Sequence, residues 1–272
     1  MQLPGRGVMG PPRDRAEAIA VLRRAVELGV DHIDTAQYYG PDVSNELIRE
    51  ALYPYPEDLV LVSKVGAFRD DKGGWIPGQR RSVAFGRRGQ PTKPRDRQVG
   101  CREPAAVGPA RSPPAEQIVA LEDQLAEMVA LRDEGKIAGV GISTANVAQV
   151  QQAIDLADIV CVQNAFSLVD QKDADVLELC HDNGIAYVPY FPLGSAFPNM
   201  PKVTDNAAVR AVAERLGASP AQVGLAWLLA HRDNILLIPG TSRVAHLEQN
   251  MAVADLALSA DDIAELEASD ER

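Results

Sequence analysis

Short apolar runs alternate with longer segments of helical period through most of the chain, and this constrains the fold more than any single motif does. Ala16, Ile19, Leu22, Ala25 and Val26 recur at helical spacing over about 13–28, and Gly29 is a natural stop. Strand signals follow at 59–65, 136–144, 159–164, 185–191 and 235–238. Helical signals fall between and after them, at 44–52, 116–135, 147–156, 170–183, 207–216, 220–231, 244–250 and 260–268. Strand–helix alternation argues for a parallel sheet closed into an α/β barrel. The length of 272 residues is near the roughly 250 typical of one (β/α)8 TIM barrel. A single barrel domain over 1–272 is therefore expected.

The chemistry concentrates at Gly29 to Gly40, G-V-D-H-I-D-T-A-Q-Y-Y-G. Val30 and Ile33 begin a short strand, Asp34 ends it, and Tyr39 follows in the loop before Gly40. The run L-V-L-V-S-K is a second strand, closing on Lys64. Two readings stand for these residues. In one, Asp34 caps the next segment, the tyrosines pack, and Lys64 snorkels to water. In the other, all three face a site at the C-terminal ends of the strands, where ligands of parallel α/β folds collect. There an ammonium held by a carboxylate favours the phenolate of a neighbouring tyrosine. The phenol can then donate a proton to an oxygen becoming an alkoxide.

D-T-A-x-x-Y-G followed by a strand ending in S-K resembles the aldo-keto reductases. The resemblance covers about Arg13 to Gly78 and about Pro114 to the C-terminus. It implies a TIM barrel that reduces small-molecule carbonyl substrates with NADP, NAD being possible. Asp34, Tyr39 and Lys64 then match three members of the catalytic tetrad. The fourth is normally a histidine at the end of the fourth strand, and no histidine lies between Lys64 and Ile137. Members of the family open with a hairpin and a first barrel strand. Here Met1 to Pro12 is rich in Gly and Pro, so the first strand is expected to be stunted or missing.

Later strand ends carry the resemblance to the cofactor site. G-I-S-T is similar to G-V-S-N and gives Ser143 and Thr144 for the carboxamide; V-Q-N gives Gln163; P-Y-F-P-L-G gives Tyr190 to stack on the nicotinamide. Taken singly, a helix cap, a satisfied core amide and a packing ring explain the same residues. I-P-G-T-S-R-V-A-H-L-E-Q-N is similar to the phosphate loop I-P-K-S and its downstream R-x-x-E-N. Backbone amides leading into a helix start form an anion site, although an ordinary turn with a cap has the same pattern. The resemblance assigns phosphate contacts to Gly240, Thr241, Ser242 and His246, and adenine contacts to Gln249 and Asn250. Gly240 and His246 replace the family's lysine and arginine, which removes fixed positive charge and leaves Arg243 as the substitute.

From about 79 to 112 the chain has neither period. It is dense in Arg, Gly and Pro, and basic within a protein of net charge −11. The resemblance places the third helix and fourth strand here, so the fourth strand is unreadable. A disordered insertion, a basic interaction loop and a local reading-frame shift are the competing explanations. The overall acidity argues against general nucleic-acid binding. No apolar run reaches the ~20 residues of a membrane span, and the first residues lack a signal-peptide core. A cytoplasmic location is expected. The three cysteines and four histidines show no metal-ligand spacing, so no metal is expected.

Overall fold

The computed structural model describes residues 2–69, 75–77, 98–102, 120–194 and 200–268. Backbone contacts divide the chain into two units, Met1–Val162 with Gly240–Val244, and Gln163–Pro239 with Ala245–Arg272.

The first unit begins with a bridge, not a strand: Met9 pairs in parallel with Gly40. The expected first strand is reduced to that contact, as its Gly and Pro content dictates. Helix α1 (Arg15–Glu27) starts where the Asp14 carboxylate accepts from the Glu17 amide at 3.0 Å. It buries Ala18, Val21, Leu22 and Ala25. Strand β1 (His32–Asp34), helix α2 (Val43–Leu52) and strand β2 (Val60–Val65) follow. Ala67–Arg69 (β3) and Trp75–Pro77 (β4) pair antiparallel.

Strand β5 (Gln98–Arg102) corrects the reading of the irregular segment. It lies parallel between β2 and β6 (Gly139–Ser143), with Lys64 opposite Cys101 and Cys101 opposite Gly141. Its sequence, Q-V-G-C-R, lacks a strand pattern, but backbone ladders on both sides supply the hydrogen bonds that a strand requires. The rest of 79–112 lies outside the described residues. Helix α3 (Leu121–Asp133) precedes β6, and α4 (Val147–Ala157) follows it behind a reciprocal cap of Asn146 and Gln149. Strand β7 (Cys161–Gln163) then carries the chain into the second unit.

In the second unit Tyr190 donates its amide to Asn164 O at 3.0 Å, and Phe166 donates to Tyr190 O at 3.3 Å. Helix α5 (Ala174–Asp182) leads to β8 (Ala186–Tyr187). The expected strand at 235–238 shrinks to one parallel bridge, Tyr187 to Ile235. Helices α6 (Ala207–Leu216), α7 (Pro220–His231), α8 (Val244–Met251) and α9 (Ala260–Glu267) complete the chain. Phe166, Tyr187 and Trp227 form the aromatic core, with Phe166 stacked on Trp227 at 6.1 Å and edge-on to Tyr187 at 5.8 Å.

Candidate active site

Asp34 and Lys64 are the terminal charged residues of adjacent parallel strands. Register places Asp34 beside Val62, two residues before Lys64. Both residues are buried, at 7% and 5% exposure. Such burial of opposite charges is tolerated only with close pairing. Lys64 Nζ donates to Asp34 Oδ1 and also to Thr35 O, at 3.2 Å. Thr35 is itself fixed: its amide donates to Val62 O at 2.7 Å, and its hydroxyl donates to Asn45 Oδ1 at 3.0 Å. The sequence reading missed Thr35. Its only signal was its place inside D-T-A.

Tyr39 joins the pair. The Lys64 ammonium lies 5.2 Å from the Tyr39 ring centroid, and Tyr38 meets the same ring edge-on at 5.2 Å. The loop is pinned at Gly40, which donates to Val8 O at 3.0 Å and accepts from Gly10 N at 3.1 Å. Gly40 has φ 99°, and a Cβ there would lie 2.5 Å from that of Val43. Only glycine fits this turn. His32 opens the same strand. Burial pushes its imidazole below the ordinary 6.5, with the carboxylates of Asp34 and Asp31 opposing and Lys64 adding to the shift.

Ser143, fully buried, ends β6, and its hydroxyl lies 3.3 Å from that of Thr144, which has φ 57°. The Gly240–Val244 loop belongs to the same unit. Within it Thr241 Oγ1 accepts from the Arg243 amide at 3.2 Å, and Ser242 is exposed. The Val244 amide, at the start of α8, is taken by Glu17 Oε1 at 2.9 Å. That contact spans 227 positions and had no local signal in the sequence.

The remaining predicted residues lie in the second unit. Gln163 is fully buried at the end of β7, and Tyr190 sits on the backbone segment bonded to Asn164. The Tyr190 ring meets Phe191 edge-on at 5.2 Å. His246, Gln249 and Asn250 lie on α8, with His246 and Gln249 exposed and the Gln249 carbonyl accepting from Gln222 Nε2 at 3.0 Å. The structure thus brings together Asp34, Lys64 and Tyr39 in the first unit, and Gln163 and Tyr190 on bonded segments in the second. Among the described residues no group of acids, histidines and cysteines could hold a metal ion, and no helix is long and apolar enough to cross a membrane.

Comparison with known proteins gives a consistent result. A sequence model described as "Aldo/keto reductase family" matches residues 1–87 and 90–271. Pyridoxine 4-dehydrogenase of Escherichia coli is 44% identical over 264 residues, covering 95% of this chain and 88% of that protein. An uncharacterized oxidoreductase of Schizosaccharomyces pombe is 36% identical, covering 98% and 83%. Among solved structures, a thermostable aldo-keto reductase in complex with the inhibitor epalrestat is 28% identical, with a TM-score of 0.72 and 98% of each chain covered. An aldo/keto reductase of Klebsiella pneumoniae in complex with NADP and acetate shares the fold, with a TM-score of 0.75 at 22% identity, covering 100% of this chain and 90% of that one. The fold class is the (β/α)8 barrel of these structures. The chain belongs to the aldo/keto reductase family of oxidoreductases.

Proposed function

We propose that the chain reduces an aldehyde or ketone to an alcohol with NADPH, NADH being the second candidate, and that Tyr39 donates the proton. The observation that carries this reading is the buried Asp34–Lys64 pair, with the lysine ammonium beside the Tyr39 ring. The nicotinamide cofactor supplies the hydride when bound. Tyr39 gives its phenolic proton to the carbonyl oxygen as that oxygen becomes an alkoxide. Lys64, held charged by Asp34 and oriented by Thr35 O, favours the phenolate that remains. Because these groups are fixed before substrate arrives, little reorganisation is needed during reaction.

The residues present suit a nicotinamide. Ser143 and Gln163 carry a hydroxyl and an amide at full burial on strand ends, and these offer the donors and acceptors a carboxamide needs. Thr144 adds a hydroxyl, and Tyr190 a half-buried ring suited to stacking. Gly240, Thr241 and Ser242 supply a short loop for phosphate. His246, Gln249 and Asn250 are assigned to the adenosine end. NADP in the K. pneumoniae enzyme and pyridoxine in the E. coli relative's name give the first cofactor and the first substrate pair to assay. The same proposal includes one barrel domain over 1–272, a cytoplasmic location, a small-molecule carbonyl partner and no nucleic-acid partner.

Changing Tyr39 to Phe tests the assignment. Turnover should fall by about 10²- to 10⁴-fold, the usual contribution of a positioned acid, while nucleotide binding persists. Unchanged turnover overturns the role of Tyr39. A second reading, a nicotinamide-binding or interaction protein with little catalysis, is favoured by one observation: Cys101 and Arg102, not a histidine, end β5 beside Lys64 and Val65. Tight nucleotide binding by the wild-type chain without turnover of any carbonyl would select it.

A further inference from the structure

A groove of about 560 Å3 opens in the first unit between the N-terminal stretch and the Gly240–Val244 loop. Arg6, Arg13 and Arg243 line it, together with Ser242, Asp14 and Glu17. The three arginines are exposed, and no hydrogen bond or ion pair to another described residue engages their guanidinium groups. The two acids are engaged. Asp14 caps α1, and Glu17 takes the Val244 amide. The lining therefore carries three cations against two anions, each of which already accepts a hydrogen bond through one oxygen. Guanidinium groups that no described carboxylate engages are suited to phosphate, which they meet with paired, charge-assisted hydrogen bonds.

The same N-terminal stretch closes off the other source of charge. A Cβ on Gly240 would come within 2.6 Å of Gln2 Cγ and 3.4 Å of its backbone nitrogen. A longer side chain at 240 cannot be added unless Gln2 moves. Positive charge for the loop has to come from elsewhere, and the stretch that fills the space ends in Arg6 and leads into Arg13.

We propose that Arg6 and Arg13, acting with Arg243, bind the 2′-phosphate of NADP(H) in this groove and give the chain its preference for the phosphorylated nucleotide. This rests on the cofactor reading above and assigns the specificity-determining charge to the N-terminal stretch. NADH, which lacks that phosphate, does not use these two arginines.

Equilibrium dissociation constants of NADPH and NADH for the purified full chain, read from nucleotide fluorescence at fixed ionic strength, provide the test. Arg6→Gln and Arg13→Gln should each raise the Kd for NADPH about tenfold, as expected for loss of one charge-assisted contact to phosphate. The Kd for NADH should stay unchanged, and this also shows that the variants are folded. Raising the salt concentration should weaken NADPH binding less in the double variant than in the wild type. Equal shifts for both nucleotides, or none for either, overturn the assignment and leave the cofactor reading intact. A wild-type chain that binds neither nucleotide overturns the cofactor reading, and this assignment with it.

Discussion

The strand ends of the first unit and the core of the second both bury polar atoms, but in opposite ways. Asp34 and Lys64 are almost wholly removed from water, and each meets the other; Lys64 has Thr35 O as well. In the second unit, Tyr187 and Trp227 are equally buried, yet Tyr187 Oη and Trp227 Nε1 have no hydrogen-bond partner among the described residues. The first region needs a charge in a fixed place, so its desolvation is offset bond by bond. The second needs aromatic volume, and packing of Phe166, Tyr187 and Trp227 outweighs two lone polar atoms. A buried polar group is thus informative about function only once its partners are known.

The largest effect should come from breaking the compensated pair. Asp34→Ala removes the carboxylate that faces the buried Lys64 ammonium, and such losses cost roughly 3–5 kcal/mol. Urea unfolding of the variant should show that loss, and turnover should vanish with it. The double variant Asp34→Leu with Lys64→Met, apolar and of similar bulk, should recover most of the stability and none of the activity. Equal destabilisation in both variants would mean that the pair is ordinary packing, and the contrast between the two regions would fail.

The compensated pair was legible in the sequence because it needs only strand alternation and two charged strand ends. An apolar run closing on Lys64 and another closing on Asp34 already place both residues at one end of a parallel sheet. Gln98–Arg102 was not legible, because Q-V-G-C-R has no period and is a strand through backbone pairing with β2 and β6. The strand expected at 235–238 was overread. Ile235 makes its bridge to Tyr187, and Pro239 follows too soon for a longer ladder. Glu17, Arg6 and Arg13 were invisible as site residues. Glu17 bonds to a loop 227 positions away, and Arg6 and Arg13 line a groove with that loop; no local pattern encodes either.

His32 lies between the two cases and gives an intermediate effect. It shares β1 with Asp34, but its Nδ1 is buried without a partner among the described residues. Burial holds its folded pKa below 6.5, against the pull of Asp34 and Asp31 and with the help of Lys64. Below pH 6.5 the unfolded chain therefore binds a proton that the folded chain refuses. Stability falls as pH drops from 6.5 toward the folded pKa, at most about 1.4 kcal/mol per pH unit for one group. His231, also lowered by burial, adds a slope of the same sign in the second unit. His32→Gln should reduce the slope of unfolding free energy between pH 6.5 and 5 without abolishing it. An unchanged slope would show that His32 takes its proton equally in both states.

The smallest effect, and the one of opposite sign, belongs to Tyr187. Burial raises its phenol far above the ordinary value of 10, so the group is neutral at any working pH and contributes no charge. Its backbone is fully used, with the amide donating to Asn234 O and the carbonyl accepting from Leu236 N, both at 2.9 Å. Tyr187→Phe keeps those bonds, the bridge to Ile235 and the ring contact with Phe166. Only the hydroxyl is removed. A buried hydroxyl without a partner carries its desolvation penalty uncompensated, so its removal should leave stability unchanged or raise it by up to ~1 kcal/mol. Denaturant midpoints of the two proteins, compared at equal m-value, measure the difference. A clear loss would mean that the hydroxyl is compensated after all. The second unit would then follow the same rule as Asp34 and Lys64.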